Sequence, residues 1–429
     1  MSATRHKFDW ILLALALLAV FARGIAMWRL GAMQMPAGED RAIAMSLLEH
    51  RGFSFSSFSY SGPTSCRAPV YPLMLCGVYA LFGAQQNGTL IALSINALAG
   101  AVAVIAAYYA GRNLFQRRPA ALLLALGIAI CPTQLQAAAY QQGLSISVAG
   151  LMLMLAAITS TRVQRAPLAG VLAALVVLTE SILVFPVAIV IAFIAARKPS
   201  AAIIALLTSF CIVTPWLYRN AVVHDELTGV TNNVWVDLFS GNGDNATGSH
   251  NLRLTDFNHK PLSRLQTLTP IEADQLKHKS ESKRNDLLRR WSFQWISDHP
   301  LSYAKLCGVR IAKLIWLDWD HPLARNAWNV ISRSVLLLGA IISAVAWFFR
   351  PRVAPGDVLD QPSQLHADRP LVPLKAGWVA IALALGLAAA TAFTMAEARN
   401  AVWMDVALLL AIASMADTKR QSVRYSNLR

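Results

Sequence analysis

The apolar run Trp10–Trp28, WILLALALLAVFARGIAMW, decides the fold class of this chain. A helix rises about 1.5 Å per residue and the hydrocarbon core of a bilayer is about 30 Å thick, so about 20 apolar residues span it. The run follows Arg5 and Lys7, as the core of a signal peptide would. It is long, however, ends in Trp28 and Arg29, and lacks a small-residue cleavage site. We therefore predict a retained membrane anchor.

Nine further apolar runs repeat this pattern along the 429 residues, and we interpret each of them as a transmembrane helix. Several are short, so the sequence predicts about ten spans within a range of roughly eight to eleven. The expected fold is an all-α polytopic membrane protein with outer loops and interfacial helices. The runs lie near residues 88–110, 119–133, 143–160, 167–180, 181–196, 199–217, 328–349, 375–394 and 400–416.

The composition excludes several classes of protein. Hydrophobic residues make up 56% of the chain and charged residues only 14%, whereas a soluble domain carries about 25% charged residues. This deficit excludes an ordinary cytosolic enzyme, a disordered protein and a nucleic-acid module of the usual kind. The net charge of +15 is typical of a membrane protein whose Lys and Arg residues gather in cytoplasmic loops. We therefore expect membrane lipids, and no nucleic acid, as partners.

Basic residues fall in alternate loops, and this alternation predicts the orientation of the chain. Short loops rich in Lys and Arg stay in the cytoplasm, whereas long loops cross the membrane regardless of charge. Both termini are therefore expected in the cytoplasm. The loops that face the outside or the periplasm are then 29–87, 134–142, 218–327 and the short turn near 395–399. The basic groups are Arg5/Lys7, Arg112/Arg117/Arg118, Arg162/Arg165, Arg197/Lys198, Arg350/Arg352 and Lys419/Arg420/Arg424.

These runs divide the chain into three parts. An N-terminal transmembrane module covers residues 1–217, a large outer loop covers 218–327, and C-terminal transmembrane helices with a basic cytoplasmic tail cover 328–429. Within the large loop, the stretch Leu301–Trp319 carries Lys and Arg among apolar residues. This pattern predicts a helix in the membrane interface whose cations extend to water, with a tilted span as the alternative.

The first outer loop, 29–87, carries the first candidates for chemistry. Glu39 and Asp40 are adjacent carboxylates just past the first span. Such a pair can act as a general base or hold a divalent cation. Taken alone, it is more typical of a solvated acidic turn that caps the following helix. The wider pattern of the loop changes this balance.

A short helical stretch and a Gly-Phe turn follow the acidic pair, and then come Arg67-Ala68-Pro69, Tyr71-Pro72 and Leu81-Phe82-Gly83. This order resembles the first periplasmic loop of GT-C membrane glycosyltransferases. It is most similar to the glycosyltransferase family 39 type, which includes protein mannosyltransferases and lipid A aminoarabinose transferases. Further segments extend the resemblance: TPWLYRN at 214–220, GNGDNATG at 241–248, WISDHP at 295–300 and Glu397-Ala398-Arg399.

The resemblance implies an acidic catalytic residue in this loop, and its spacing leaves Asp40 and Glu39 both open. Arginine grips phosphate oxygens with two nitrogens, so Arg67 and Arg219 are candidates for a donor phosphate. The structural alternatives are headgroup contact or ion pairing for the arginines, a belt position for the tyrosine, loop capping by the asparagines and a mutual pair at the last turn. The candidate substrate-binding set is Arg67, Tyr71, Glu180, Arg219, Asn220, Asn242, Glu397 and Arg399.

One departure from the family pattern concerns a second acidic residue. Many members carry it on the next outer loop, but loop 134–142 has no carboxylate here. Where relatives often read Leu-Thr-Arg-Pro, this chain has Leu-Thr-Glu-Ser at residues 178–181. A carboxylate near the end of a span is costly unless it is paired or hydrated. We interpret Glu180 as either a replacement for the missing acid or the mark of a changed substrate.

The resemblance implies a glycosyltransferase of the bacterial inner membrane. It would move a sugar from a polyprenyl-phosphate donor to a lipid, glycan or protein acceptor on the periplasmic face, with inversion by direct displacement. The phosphate leaves without a strong acid, so the demanding step is activation of the acceptor by a carboxylate base. No firm cofactor is implied, although the acidic pair is compatible with a divalent metal. The alternatives are a non-catalytic transporter or flippase and an inactive lipid-binding subunit.

Overall fold

The computed structural model describes residues 9–416, apart from 36–37, 58–59, 116, 161–162, 196–197, 250–263, 322–323, 325, 349–375 and 394–399. Almost all regular structure in these ranges is helical, and the first outer loop adds one two-stranded hairpin, β1 (Ser54–Ser57) and β2 (Tyr60–Pro63). The helices are α1 (Trp10–Arg29), α2 (Glu39–Leu48), α3 (Val70–Phe82), α4 (Gln86–Leu114), α5 (Arg118–Ile130), α6 (Pro132–Ala138), α7 (Leu144–Ile158), α8 (Ala166–Val177), α9 (Val184–Ala195), α10 (Pro199–His224), α11 (Val234–Gly241), α12 (Pro270–Leu276), α13 (Glu281–Asp298), α14 (Pro300–Ile315), α15 (Ala327–Phe348), α16 (Ala376–Phe393) and α17 (Ala401–Ala416).

Each of the ten apolar runs forms a helix, which confirms the prediction of a helical polytopic membrane protein. The ten are α1, α4, α5, α7, α8, α9, α10, α15, α16 and α17. Four helical stretches among the described residues are long and apolar enough to cross a bilayer alone: Trp10–Arg29, Gln86–Leu114, Pro199–His224 and Ala327–Ala346. The other apolar helices are shorter, and we expect them to cross the bilayer as parts of the packed bundle.

Helices α5 and α6 form a bent pair, either one broken span or a re-entrant loop. They are bent by 50° at Cys131, which has extended backbone angles and is followed by Pro132. Proline has no N–H to continue the ladder of α5 but fits the first position of a new helix. The break carries the chain into the second outer loop.

Small residues allow the bundle helices to pack closely. α4 packs against α5 and α7, and α8 packs against α7 and α10. The core between them is rich in buried alanines, among them Ala107, Ala121, Ala125 and Ala173. Close backbone approach is the usual source of helix association in a bilayer, where burial of apolar surface gives little driving force.

The first outer loop is more ordered than the sequence pattern indicated. α2 packs against α3, and the hairpin pairs Ser54 with Pro63 and Ser57 with Tyr60 in an antiparallel register. Neither α3 nor the hairpin was predicted. Their effect is to hold the residues after β2 close to α2.

The amphipathic stretch of the large loop is helical, as predicted, but two of its cations face inward. Arg310 of α14 donates to the Gly241 carbonyl oxygen at 2.7 Å, and Lys313 donates to the Thr247 carbonyl oxygen at 2.8 Å and pairs with Asp320. Both side chains are buried. The prediction that these cations extend to water was wrong, because acceptors in the preceding loop are available to them.

The predicted boundary at residue 217 falls inside a helix. α10 continues past it to His224, so the first module and the large outer loop share one continuous element. This connection matters for the site, because the last turns of α10 contact the first outer loop.

Three charged side chains, Arg23, Arg333 and Asp405, are buried within the bundle. The hydropathy pattern did not predict them. Arg23 of α1 donates to the carbonyl oxygen of Ile128 at 3.2 Å. The Arg23 side chain passes directly over Gly100, since a Cβ atom added at Gly100 would lie only 2.0 Å from the Nε of Arg23. Arg333 of α15 and Asp405 of α17 form an ion pair at 3.0 Å, with both side chains 1% exposed. These contacts join α1 to α5 and α15 to α17.

The Arg333–Asp405 pair gives a stability prediction. Replacing Asp405 with Leu leaves a buried guanidinium without its counter-charge, and we expect a loss of about 3–5 kcal/mol in the free energy of unfolding. The double variant Arg333→Met/Asp405→Leu removes both charges and should recover most of this loss. Thermal unfolding in lipid nanodiscs measures both effects. Lys277→Met, which removes an exposed pair, should change stability by less than about 1 kcal/mol. A double variant as unstable as the single one would contradict the prediction.

Candidate functional site

An ion pair between Arg67 and Glu39 forms the centre of the candidate site. The guanidinium Nε donates to Glu39 Oε2 at 2.6 Å. Glu39 and Asp40 occupy the first turn of α2, where the positive end of the helix dipole favours carboxylates. Arg67 lies in the short segment between β2 and α3. The packing of α2 on α3 thus brings the two parts of the loop together.

Two more carboxylates act on the same guanidinium. Burial by itself lowers the pKa of Arg67, but Glu39, Asp40 and Glu180 together raise that pKa well above its usual value. Arg67 therefore remains charged: Glu39 is bonded to it, and Asp40 and Glu180 lie near enough to act on it electrostatically. These four side chains come from α2, the segment before α3 and the end of α8.

Glu180 lies in the short turn between α8 and α9, beside the start of α7. It is 9% exposed, and its Oε1 lies 3.5 Å from the point where a Cβ on Gly143 would stand. The Val70 N–H donates to the Leu178 carbonyl oxygen at 3.0 Å and ties this end of α8 to the start of α3. A carboxylate thus lies beside the outer loop that has none of its own.

Tyr71 faces the interior of the protein. Its side chain is 1% exposed, and its hydroxyl accepts a hydrogen bond of 3.2 Å from the Nδ2 of Asn96 on α4. A tyrosine of the interfacial belt would instead be open to lipid headgroups. Asp40 lies close enough to act electrostatically on the Tyr71 hydroxyl, so Tyr71 borders the carboxylate cluster.

Arg219 holds the first outer loop from the end of α10. Its Nη1 donates to the Thr64 carbonyl oxygen at 2.7 Å and its Nη2 to the Phe53 carbonyl oxygen at 3.1 Å. The guanidinium also stacks over the rings of Phe53 and Trp216, at 5.4 and 5.0 Å. The structure thus places Arg219 against the backbone that leads to Arg67.

The two predicted asparagines lie in buried structural contacts. The Nδ2 of Asn220 donates to the Gly229 carbonyl oxygen at 3.0 Å. The Oδ1 of Asn242 accepts from Arg310 Nη2 at 2.6 Å. Both side chains are fully buried. Glu397 and Arg399 lie outside the described residues.

A buried network beside the cluster was missed by the sequence analysis. The carboxylate of Glu281, at the start of α13, accepts from the Ser65 N–H at 3.0 Å and from the Thr64 hydroxyl. The Ser65 hydroxyl bonds to His224 Nε2 at 2.7 Å. Because the same imidazole nitrogen faces Ser65 and Glu281, this is not the arrangement of a proton relay. Glu281 stands in a charge-rich stretch, and nothing in that local pattern distinguishes it.

The described residues offer no metal centre. Nowhere among them do three His, Cys, Asp or Glu side chains converge as ligands. At the carboxylate cluster, Glu39 is paired with Arg67. The five cysteines are free.

Comparisons with known proteins give remote structural likenesses at low sequence identity. No protein-family model matches the chain, and no curated protein sequence matches it. The solved oligosaccharyltransferase of Archaeoglobus fulgidus, in complex with Zn and sulfate, has 16% identity and a TM-score of 0.48, over 97% of this chain and 49% of that one. The chain therefore spans about half of that protein. ArnT from Cupriavidus metallidurans bound to undecaprenyl phosphate has 12% identity and a TM-score of 0.42, over 96% and 77%. Its apo state has 12% identity and a TM-score of 0.40, over 95% and 77%.

The contacts of Asn242 lead to a test of its role. Asn242→Ala removes the acceptor of a buried guanidinium nitrogen, and we expect a loss of about 1–3 kcal/mol in the free energy of unfolding. Asn245→Ala, on the exposed part of the same loop, should change stability by less than about 0.5 kcal/mol. Thermal unfolding measures the stability of both variants, and their difference tests the role of Asn242. Equal stability of the two would show that Asn242 is not needed for folding.

Proposed function

We propose that this chain is an integral membrane glycosyltransferase of the GT-C type. It transfers a sugar from a polyprenyl-phosphate donor to a lipid, glycan or protein acceptor on the periplasmic face of the bacterial inner membrane. The observation that carries this proposal is the cluster of Glu39, Asp40 and Glu180 around Arg67. The family resemblance of the first outer loop supports it, since Glu39, Asp40 and Arg67 belong to the matched pattern and lie near one another.

The chemistry assigned to the cluster is a direct displacement. An acceptor hydroxyl or amine attacks the anomeric carbon of the donor sugar, and the bond from that carbon to the phosphate oxygen breaks. Its electron pair leaves with the polyprenyl phosphate, and the proton of the acceptor goes to a carboxylate of the enzyme. Arg67 binds the phosphate through its terminal nitrogens, because Nε is engaged by Glu39.

We assign the general base to Asp40 and the orientation of Arg67 to Glu39. Proton uptake by Glu39 would remove the negative partner of the 2.6 Å ion pair, at the moment when Arg67 must hold the phosphate. Asp40 follows it in the same helical turn and is 6% exposed, so it accepts the proton within a site shielded from water. Glu180 takes the place of the second acid absent from loop 134–142.

The remaining predicted residues complete this assignment. Tyr71 forms the wall next to Asp40, and Arg219 holds the loop that presents Arg67. Asn220 acts through the backbone carbonyl to which it donates, and Asn242 acts through Arg310. We place Glu397 and Arg399 at the outer turn before α17, as the resemblance implies.

A second candidate function is transport or flipping of a lipid-linked sugar. The charges buried within the bundle favour it, because ionisable groups inside membrane spans often mark transport paths. Here, however, Arg23 bonds to backbone carbonyls, and Arg333 and Asp405 bond to each other. These contacts suit a structural role, so the glycosyltransferase remains the first proposal.

A transfer assay tests the proposed function. Purified protein in lipid nanodiscs is supplied with a panel of radiolabelled polyprenyl-phosphate sugars and with membrane extract as acceptor. We expect Asp40→Asn to lower the transfer rate by about 10²- to 10⁴-fold, as for loss of a general base. Glu39→Gln should affect both rate and donor affinity, because it releases Arg67. Glu49→Gln, an exposed carboxylate just after α2, should leave transfer unchanged.

The outcomes separate the candidate functions. Transfer that survives Asp40→Asn but disappears in Glu180→Gln would move the base to Glu180. Donor binding without transfer to any acceptor, together with movement of the donor across the bilayer, would favour the transporter. Donor binding with neither activity would favour an inactive lipid-binding subunit.

A further inference from the structure

The segment Thr64–Cys66, directly before Arg67, is held by groups from distant parts of the chain. Two come from the large outer loop: Glu281 at the start of α13 and Asn232 before α11. Two others, Arg219 and His224, come from the last turns of α10. This three-residue segment of the first outer loop therefore contacts both the large outer loop and the end of α10.

Glu281 makes two charge-assisted contacts with this segment. Its two carboxylate oxygens accept from the backbone N–H of Ser65 and from the hydroxyl of Thr64, and its side chain is 7% exposed. Hydrogen bonds to a buried carboxylate are stronger than bonds between neutral groups. The Thr64 hydroxyl oxygen in turn accepts from the N–H of Cys66 at 3.0 Å. A single carboxylate therefore orders the backbone up to the residue that precedes Arg67.

The other tethers act on the same backbone from different directions. The N–H of Asn232 donates to the Ser65 carbonyl oxygen at 2.9 Å, while Arg219 donates to the Thr64 carbonyl oxygen at 2.7 Å. The Cys66 side chain packs with Ile43 of α2, in the helix that carries Glu39 and Asp40. Movement of this segment would thus shift Arg67 relative to the two carboxylates of α2.

We propose that Glu281 is a positioning residue through which the large outer loop sets Arg67 against Glu39. Its carboxylate fixes Thr64 and Ser65, and these fix the backbone of Cys66 and Arg67. The positioning role rests on the function proposed above, whereas the mechanical claim does not: loss of the Glu281 carboxylate releases the segment locally while the helical bundle stays folded.

Cys66 provides a direct readout of this release. Its side chain is buried, and burial with the nearby Glu39 and Glu281 carboxylates raises the pKa of its thiol. Reaction with a maleimide therefore requires the segment to open. A protein that retains Cys66 as its single cysteine reports the segment, and one that retains Cys131, buried in the bundle, reports the core.

The experiment compares maleimide labelling rates in both reporter proteins, in lipid nanodiscs. We expect Glu281→Ala to raise the labelling rate of Cys66 by at least about tenfold, with no change at Cys131. Glu281→Gln keeps an oxygen that can accept from Ser65, so its increase should be smaller. Asp286→Asn is the matched control, since it removes a surface carboxylate of the same helix and should change neither rate.

Two results would overturn the proposal. Unchanged labelling of Cys66 in Glu281→Ala would show that the other tethers suffice. Equal increases at Cys66 and Cys131 in both Glu281 variants would show general destabilisation in place of local release. In the transfer assay, Glu281→Gln should lower kcat/KM by about tenfold at an unchanged melting temperature. Absence of transfer in the unmodified protein would contradict the proposed function, while the labelling result would still decide the role of Glu281.

Discussion

A charge buried away from water must meet a partner, and this constraint organises the whole molecule. Arg23 uses carbonyl oxygens at the end of α5, and Arg333 uses Asp405 across two membrane helices. In the first outer loop, the partly buried Arg67 forms an ion pair with Glu39. The partners in each case are far apart in the chain. These contacts avoid the energetic cost of an unpaired buried charge. They also fix how the helices and loops are arranged.

The same constraint prepares the candidate site before any substrate arrives. Arg67 is oriented by Glu39, and its backbone is held through Thr64 and Ser65. A long cation that is already ordered loses less conformational freedom when it binds a phosphate. The three nearby carboxylates also offset its positive charge.

Local sequence patterns predicted what depends on local properties. Ten apolar runs became ten helices, because the length of an apolar run reflects the thickness of the bilayer. The amphipathic stretch of α14 was recognised by its period, but the inward direction of Arg310 depends on Asn242, which lies in a different element. Glu39 and Arg67 were both candidates, yet only the packing of α2 on α3 shows them as a pair. Glu281 carried no local signal at all. The local sequence pattern therefore could not predict which residues, far apart in the chain, contact one another.

The shortness of α8 has a consequence for the lipid around the protein. Its 12 residues cover about 18 Å, far less than the roughly 30 Å of the hydrocarbon layer. A span of this length is accommodated by local thinning of the bilayer. Since Glu180 stands just past the end of α8, such thinning would bring the headgroup region toward this carboxylate. A phosphate anchored by a long hydrocarbon tail would then meet the carboxylate cluster without leaving its leaflet.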